Sequence, residues 1–423
     1  MAFSAVGAIR GDDELYPPRA RGGLDPRRPG AFAEELARFR RAFLAKPPPR
    51  AGFLPILELD RLKEHLGRRW PELRGKVFAN VEGCIARRLK PEEHYLLVDE
   101  TTVWVLPLAA DRGEVARRAE LVAAEITERL LGLTPGGRFV RLRLLPFDFG
   151  RGLRNVAGFL SLRERVEEAR RSCASCEARA FREHADRLLA LWRPVLAIRL
   201  GRVVGYQGFA RLIAPDGSAR APTDICPDCV TGAFEAELDR WFLEQATSHL
   251  LKLSPPNADP PVLAIPVHGS TLATPGFRTS WRDRLFALPP RLARHLFLEI
   301  VDPDLDLSPS RLAAMLEPLE GRIGLVLVRV PPDPAAVRPL AGTAARVAAI
   351  DASELRPEDA DLHSRLAELA RACREAGLRS FLFSANDEIL AREACAAGVD
   401  YIAGDVFLPA LRVPALVPAN RSA

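Results

Sequence analysis

From residue 186 to about 412 the chain repeats one pattern, a short apolar run followed by an amphipathic helix. The apolar runs are PVLAIRL, RVVGYQGFARLI, VLAIPV, HLFLEI, IGLVLVRV, ARVAAI, RSFLFS and VDYIAG. Between most of them lie helical stretches such as FEAELDRWFLEQATSHLLKL, SRLAAMLEPLE, DADLHSRLAELARACREAG and DEILAREACAAG. Short apolar runs bounded by turn formers read as buried strands, and strands alternating with helices build a parallel sheet. Eight of them predict a closed (β/α)8 barrel of the TIM type. No helix separates the first two runs, so one of that pair is expected to run antiparallel to the rest.

A different α/β pattern precedes the barrel. FLPILEL reads as a strand, DRLKEHLGRRW and KVFANVEGCIARRL as helices, and HYLLV with VWVLPL as a hairpin around DETT. A long amphipathic helix, RGEVARRAELVAAEITERLLG, a strand, RFVRLRLLPF, and a last helix, LSLRERVEEARRSCASCEARAF, complete a compact α/β sandwich. Residues 1–30 are rich in Pro, Arg, Gly and Asp and read as disordered. AFAEELARFRRAFLA at 31–45 is a short amphipathic helix stopped by KPPPR. The expected organisation is a disordered segment with a short helix over 1–50, the sandwich over 51–180, the barrel over 186–415 and a tail over 416–423.

Composition narrows the function classes. Sixty basic residues against 55 acidic ones leave a net charge of +5, and no Lys/Arg run is interleaved with stacking aromatics, so nucleic acid is not the expected partner. No apolar run reaches the ~18 residues of a membrane span. The start, MAFSAVGAIRGDDELYPP, has neither the basic region nor the long apolar region of a signal peptide. Seven cysteines do not make a secreted disulfide framework, so a cytoplasmic location is expected.

The stretches GRVVGYQGFARLIAPDG, LDRWFLEQA and AGVDYIAGDVF, in this order among the strands, resemble the EAL domain, a barrel that hydrolyses cyclic di-GMP. More weakly, ILELDRLKEHLG, the hairpin around VDETTV and the helix EVARRAELVAAEITERLL resemble the GGDEF domain, the diguanylate cyclase module that often precedes it. The resemblance implies two divalent cations held by carboxylates at the C-terminal strand ends, which would clamp the phosphate and generate hydroxide. The ligand positions it implies are largely altered here. The signature Glu falls on Gln207, the next metal-binding Asn on Pro266, and the Asp pair near Val326 and Leu327. The family's Lys falls on Ala349 and its later Glu on Phe383 or Ser384, which leaves Glu299 and Asp351 as surviving carboxylates. Hard cations require several oxygen ligands, mostly anionic. No catalytic Mg²⁺ or Mn²⁺ site is therefore expected, and no catalytic residue.

In the GGDEF-like part the signature falls on Val98-Asp99-Glu100-Thr101-Thr102, without the paired glycines that let backbone approach a phosphate. The metal-binding Asp falls on Glu58, and the guanine-contacting pair on Leu66 and Gly67. The resemblance thus implies a catalytically inactive signalling protein related to cyclic di-GMP metabolism, acting by binding a protein partner or a nucleotide. The alternative is an active phosphodiesterase with a rearranged metal site, using carboxylates such as Asp304, Asp306 or Asp333.

Neither family accounts for two C-x-x-C pairs, Cys173 with Cys176 and Cys226 with Cys229. Paired knuckles suit tetrahedral Zn²⁺, and a shared structural zinc site is one expectation. Two unrelated pairs, or a redox-active pair, are the others. Cys84, Cys373 and Cys395 lie in apolar helical stretches and read as small core residues. His268 follows a strand at the barrel mouth with no acidic partner evident in sequence, and Trp241 reads as core.

Overall fold

The computed structural model describes residue 18 and residues 20–45, 51–132, 139–226, 229–253, 260–301, 309–319 and 321–415. The chain divides into two compact units, Met1–Ser175 and Cys176–Ala423.

The first unit is built on an antiparallel sheet of β1 (Gly52–Glu58), β2 (His94–Leu97), β3 (Thr102–Leu106) and β4 (Arg141–Phe147), in the order β2-β3-β1-β4. The expected hairpin is present, with His94 opposite Leu106 and Leu97 opposite Val103. Helices Trp70–Arg88 and Arg112–Leu131 pack on the sheet through Val77, Phe78, Val81, Val122 and Ile126. Asp111 caps the second of these by accepting from the Glu114 N–H, and Gly132 closes it in the left-handed conformation. Disorder was expected over 1–30, but the part of it at Gly22–Leu24 is a short backbone pairing along β2. The Tyr95 N–H donates to the Gly22 carbonyl and the Leu24 N–H to the Tyr95 carbonyl, both at 2.9 Å. Buried Leu24 offsets the polar composition that suggested disorder. The short helix follows at Pro29–Leu44, with Phe32, Leu36, Phe39 and Phe43 on its buried face. Residues 1–17, 46–50 and the tail 416–423 lie outside the described residues.

The second unit is the barrel. Its wall consists of β5 (Leu188–Ala197), β6 (Arg202–Ile213), β8 (Leu263–His268), β9 (Leu296–Val301), β10 (Val326–Val330), β11 (Val347–Asp351), β12 (Arg379–Phe383) and β13 (Tyr401–Ile402). The two-residue β7 (Ala219–Arg220) extends β6 outside the ring. The β5–β6 pairing closes it, and β5 is the antiparallel strand, against both β6 and β13.

Period-2 alternation sorts the side chains. Leu263, Ile265, Leu298, Ile300, Val326, Val328 and Ile350 face outward into the core beneath the helices. Ala264, Leu327, Val347, Ala349, Phe381 and Phe383 face inward. The same parity carries Pro266, Glu299, Arg329 and Asp351 to the inner side, near the C-terminal ends of their strands. The mouth is thus assembled by register: Pro266 lies beside Glu299, Glu299 beside Leu327, and Arg193 opposite Gln207.

Glycine is required at 208. A Cβ there would lie 2.6 Å from the Phe242 ring and 2.9 Å from Trp192, both fully buried. Neither ring can move without opening the core, so Gly208→Ala is expected to destabilise the protein by about 1–3 kcal/mol. Urea unfolding of the variant beside wild type, at unchanged m-value, checks this.

Candidate functional site

At the C-terminal end of the barrel, the centre of the site is Glu299, fully buried on β9. Gln207, 2% exposed on β6, donates from Nε2 to both Glu299 oxygens at 2.9 and 3.1 Å. Arg329 on β10 donates from Nε to Glu299 Oε1 at 2.7 Å. The carboxylate is therefore neutralised by a guanidinium and clamped by an amide. Two buried polar atoms nearby lack hydrogen-bond partners, Gln207 Oε1 and Arg193 Nε, on residues paired across β5 and β6.

Aromatic rings and guanidinium groups line the rest of the mouth. Arg193 and Arg211 both lie over the Phe209 ring, at 4.8 and 4.9 Å from its centroid, and Arg329 lies 4.7 Å from that of Phe383. Arg193 Nη1 donates to Ser384 Oγ at 3.4 Å, and its Nε lies 3.8 Å from Asp405. Burial pulls Arg193 below the usual guanidinium range against the opposing pull of Asp405, with Arg211 reinforcing the downward shift. A guanidinium stays charged in proteins nonetheless.

The expected positions distribute as follows. Gln207 and Glu299 meet directly. Pro266 is at the mouth and offers a ring with no ligand atom. Asp351 is also at the mouth, but its Oδ1 accepts from the N–H and Oγ of Ser353 at 3.0 and 2.8 Å, so it is engaged in a local cap. Leu327 is inside the barrel one layer down. Val326 is corrected: it faces outward into the helix layer, and the mouth residue of its strand is Arg329. The alternative carboxylate Asp333 accepts from the Ala335 N–H at a helix start, and Asp304 and Asp306 lie outside the described residues. One buried carboxylate already bonded to Arg329 and Gln207 does not match what a pair of hard divalent cations requires.

In the first unit, Glu58 likewise faces arginine, with Arg143 at 3.1 Å and Arg141 at 3.8 Å. Val98 and Thr102 close a turn, its Asp99 accepting from the Thr101 N–H, and Glu100 pairs with Lys63.

Two networks were not visible in the sequence. Asp239, 1% exposed, accepts from the His268 N–H at 2.8 Å, meets His268 Nδ1 at 2.7 Å and accepts from Thr271 Oγ1 at 2.6 Å. His268 therefore has its acidic partner, on the preceding helix Ala233–Lys252. Glu177 holds the second network. It accepts from the N–H groups of Val230, Thr231 and Ala233, from Thr231 Oγ1, and from Cys229 Sγ at 3.1 Å. Burial, with Glu235 and Glu177 nearby, pushes the Cys229 thiol up and holds its proton. Among the described residues no group of three or more His, Cys, Asp or Glu could hold a metal ion. Cys84 and Cys373 are buried as expected, whereas Cys395 is exposed.

Replacing Arg329 by Met leaves Glu299 as a buried charge without its cation. Arg329→Met is expected to cost about 3 kcal/mol in chemical denaturation, and adding Glu299→Gln to recover much of that loss. Glu177 supplies a pH signature. Burial raises its pKa, but hydrogen bonds from Thr231, Val230 and Cys229 outweigh burial and hold it below the usual carboxylate value. Its stabilisation is present above the unfolded value of about 4.3 and is lost as pH falls through the lower folded value. Thermal unfolding between about pH 5 and 3 is expected to fall more gently with pH in Glu177→Gln than in wild type.

Comparison with known proteins gives these arrangements a family. A search of curated proteins finds no match. Among solved structures, the Vibrio cholerae LapD S helix-GGDEF-EAL protein, bound to c-di-GMP, is 13% identical with a TM-score of 0.55, over 93% of this chain and 96% of that one. The Xanthomonas citri FimX EAL domain in complex with c-diGMP is 18% identical with a TM-score of 0.47, over 59% of this chain and 99% of that one. An EAL domain protein from Listeria monocytogenes is 18% identical with a TM-score of 0.45, over 56% and 94%. The LapD likeness extends through the part before the barrel, which has a GGDEF-like fold. No helix among the described residues is long and apolar enough to cross a membrane. The EAL domain model matches residues 177–410, more than half of the chain, and the protein belongs to the EAL domain family.

Proposed function

We propose that this protein is a non-catalytic member of the EAL domain family that works in cyclic di-GMP signalling as a receptor and passes its state to a protein partner. The observation that carries the reading is the Glu299–Arg329–Gln207 cluster. A phosphodiesterase of the two-metal type needs anionic oxygen ligands to hold its cations and to lower the pKa of a bound water. Here the buried carboxylate is committed to a guanidinium, and Gln207 and Pro266 contribute no charge.

The same mouth suits a phosphodiester without a metal. Guanidinium groups bind phosphate through paired N–H donors and stack on flat rings. Arg193, Arg211 and Arg329 supply the charge, and Phe209 and Phe383 the rings. Gln207 Oε1 and Arg193 Nε, neither with a hydrogen-bond partner, add an acceptor and a donor for a ligand or an ordered water. The LapD protein that shares the two-part fold was solved bound to c-di-GMP.

Calorimetry of the full chain with cyclic di-GMP in EDTA tests the reading. Binding is expected with a Kd below about 100 μM, near −5.5 kcal/mol, and Arg211→Ala is expected to weaken it by about tenfold. With Mg²⁺ or Mn²⁺ the nucleotide should remain intact. Metal-dependent turnover would establish the phosphodiesterase instead, and no heat of binding with an unchanged nucleotide would remove the receptor role.

A further inference from the structure

The barrel has a second opening, at the end opposite the arginine mouth. Inward positions there are small on three adjoining strands: Ala197 on β5, Gly205 on β6 and Ala264 on β8. Larger apolar side chains, Phe297, Leu327, Val347 and Phe381, form the inner end of the space. The result is a cavity of about 670 Å³ lined within the second unit alone. Eight-stranded barrels are ordinarily filled by their own side chains at this level. A hollow of this size is in the range of small-molecule sites, roughly 300–1,000 Å³.

Its rim has a definite chemistry. Arg379 pairs with Asp400 at 3.0 Å, and the other Asp400 oxygen accepts from the N–H and Oγ of Ser380 at 3.0 and 3.1 Å. That carboxylate is fully used. Arg199 stands exposed on the same rim, next to Leu200, which is 61% exposed. Two guanidinium groups against one carboxylate leave the rim with one excess positive charge. An exposed leucine beside an arginine, above apolar walls, is the arrangement that receives a molecule with an apolar body and one anionic end. A cation would meet the excess positive charge. A dinucleotide would place two phosphates and a ribose edge against walls that are mostly apolar, with one excess positive charge to meet two phosphates.

We propose that this lower cavity is a binding site for a small amphipathic monoanion, an aromatic or medium-chain aliphatic carboxylate or sulfonate. Its body packs on Phe297, Leu327, Val347 and Phe381, and its charge lies on Arg199 with Arg379 behind it. The site is separate from the arginine mouth and does not depend on what binds there.

The test uses 1-anilinonaphthalene-8-sulfonate as the probe on the full chain, with decanoate as competitor and near-ultraviolet circular dichroism to establish native packing. Saturable one-to-one fluorescence enhancement, displaced by decanoate, is expected. Arg199→Glu, an exposed change, is expected to weaken probe binding by about tenfold. Val347→Trp fills the cavity and is expected to abolish binding, and Ala264→Leu does the same from another wall should the tryptophan variant fail to fold. Absence of saturable binding, or binding that Arg199→Glu leaves unchanged, overturns the proposal. Cyclic di-GMP calorimetry on Arg199→Glu reports on the mouth independently, so loss of one site is not mistaken for loss of the other.

Discussion

A carboxylate buried in a barrel must be neutralised, and the way Glu299 is neutralised determines the chemistry of this protein's mouth. The charge cannot stay unpaired in a dry interior, where the desolvation cost per ion is several kcal/mol. In a metal-dependent barrel, cations would meet that need. Here Arg329, two residues beyond Leu327 on the neighbouring strand, meets it at 2.7 Å, and Gln207 bonds both oxygens from the other side. Gln207 acts as a neutral donor, whereas an ionised glutamate in its place would offer only acceptors and put a second negative charge beside the first.

The consequence runs outward from this pair. Arg329 reaches Glu299 while its guanidinium lies over Phe383, and Phe209 has arginines near its ring from β5 and β6. The mouth thus presents fixed organic cations. The proposed receptor role rests on them, since guanidinium groups pair with phosphate oxygens and carry no bound water to activate. The first unit repeats the motif on its own sheet, where Glu58 of β1 pairs with Arg143 of β4 across the antiparallel ladder. In both units arginine side chains flank the acidic residue that the family resemblance assigned to a metal.

Much of this was legible in the sequence, for physical reasons. The barrel strands stand out because each buries both faces and so reads as an apolar run. Gln207, Pro266 and Glu299 could be placed through the family resemblance, which maps its ligand positions onto those strands. The bond from Arg329 to Glu299 was not legible, because IGLVLVRV offers no internal mark to fix its register, and an offset of one residue exchanges the inner and outer faces. Val326 consequently faces the helices. The Asp239–His268 pair could not be read either, since it joins a helix to the following strand across 29 residues, and only the fold brings them together. Glu177 is hidden for a similar reason: on its helix it looks like one more charge among arginines, yet it is 3% exposed and fixes the loop that follows β7. The hydrogen bond from Cys229 to this carboxylate is likewise invisible in the cysteine spacing.

The two ends of the barrel follow from one property of its wall. Inward side chains come in layers, and each layer contains whatever the eight strands supply at that height. The upper layer of this barrel holds Arg193, Gln207, Glu299 and Arg329, which satisfy much of one another's charge and leave donors toward the opening. The layer below is closed by Leu327, Ala349 and Phe381, an apolar floor that separates the charged mouth from the space beneath. Above that floor Glu299 is fully buried, while its partner Arg329 keeps 30% of its side chain exposed toward the opening. The hollow below that floor is what remains when three of the strands contribute almost no side-chain volume there, at 197, 205 and 264.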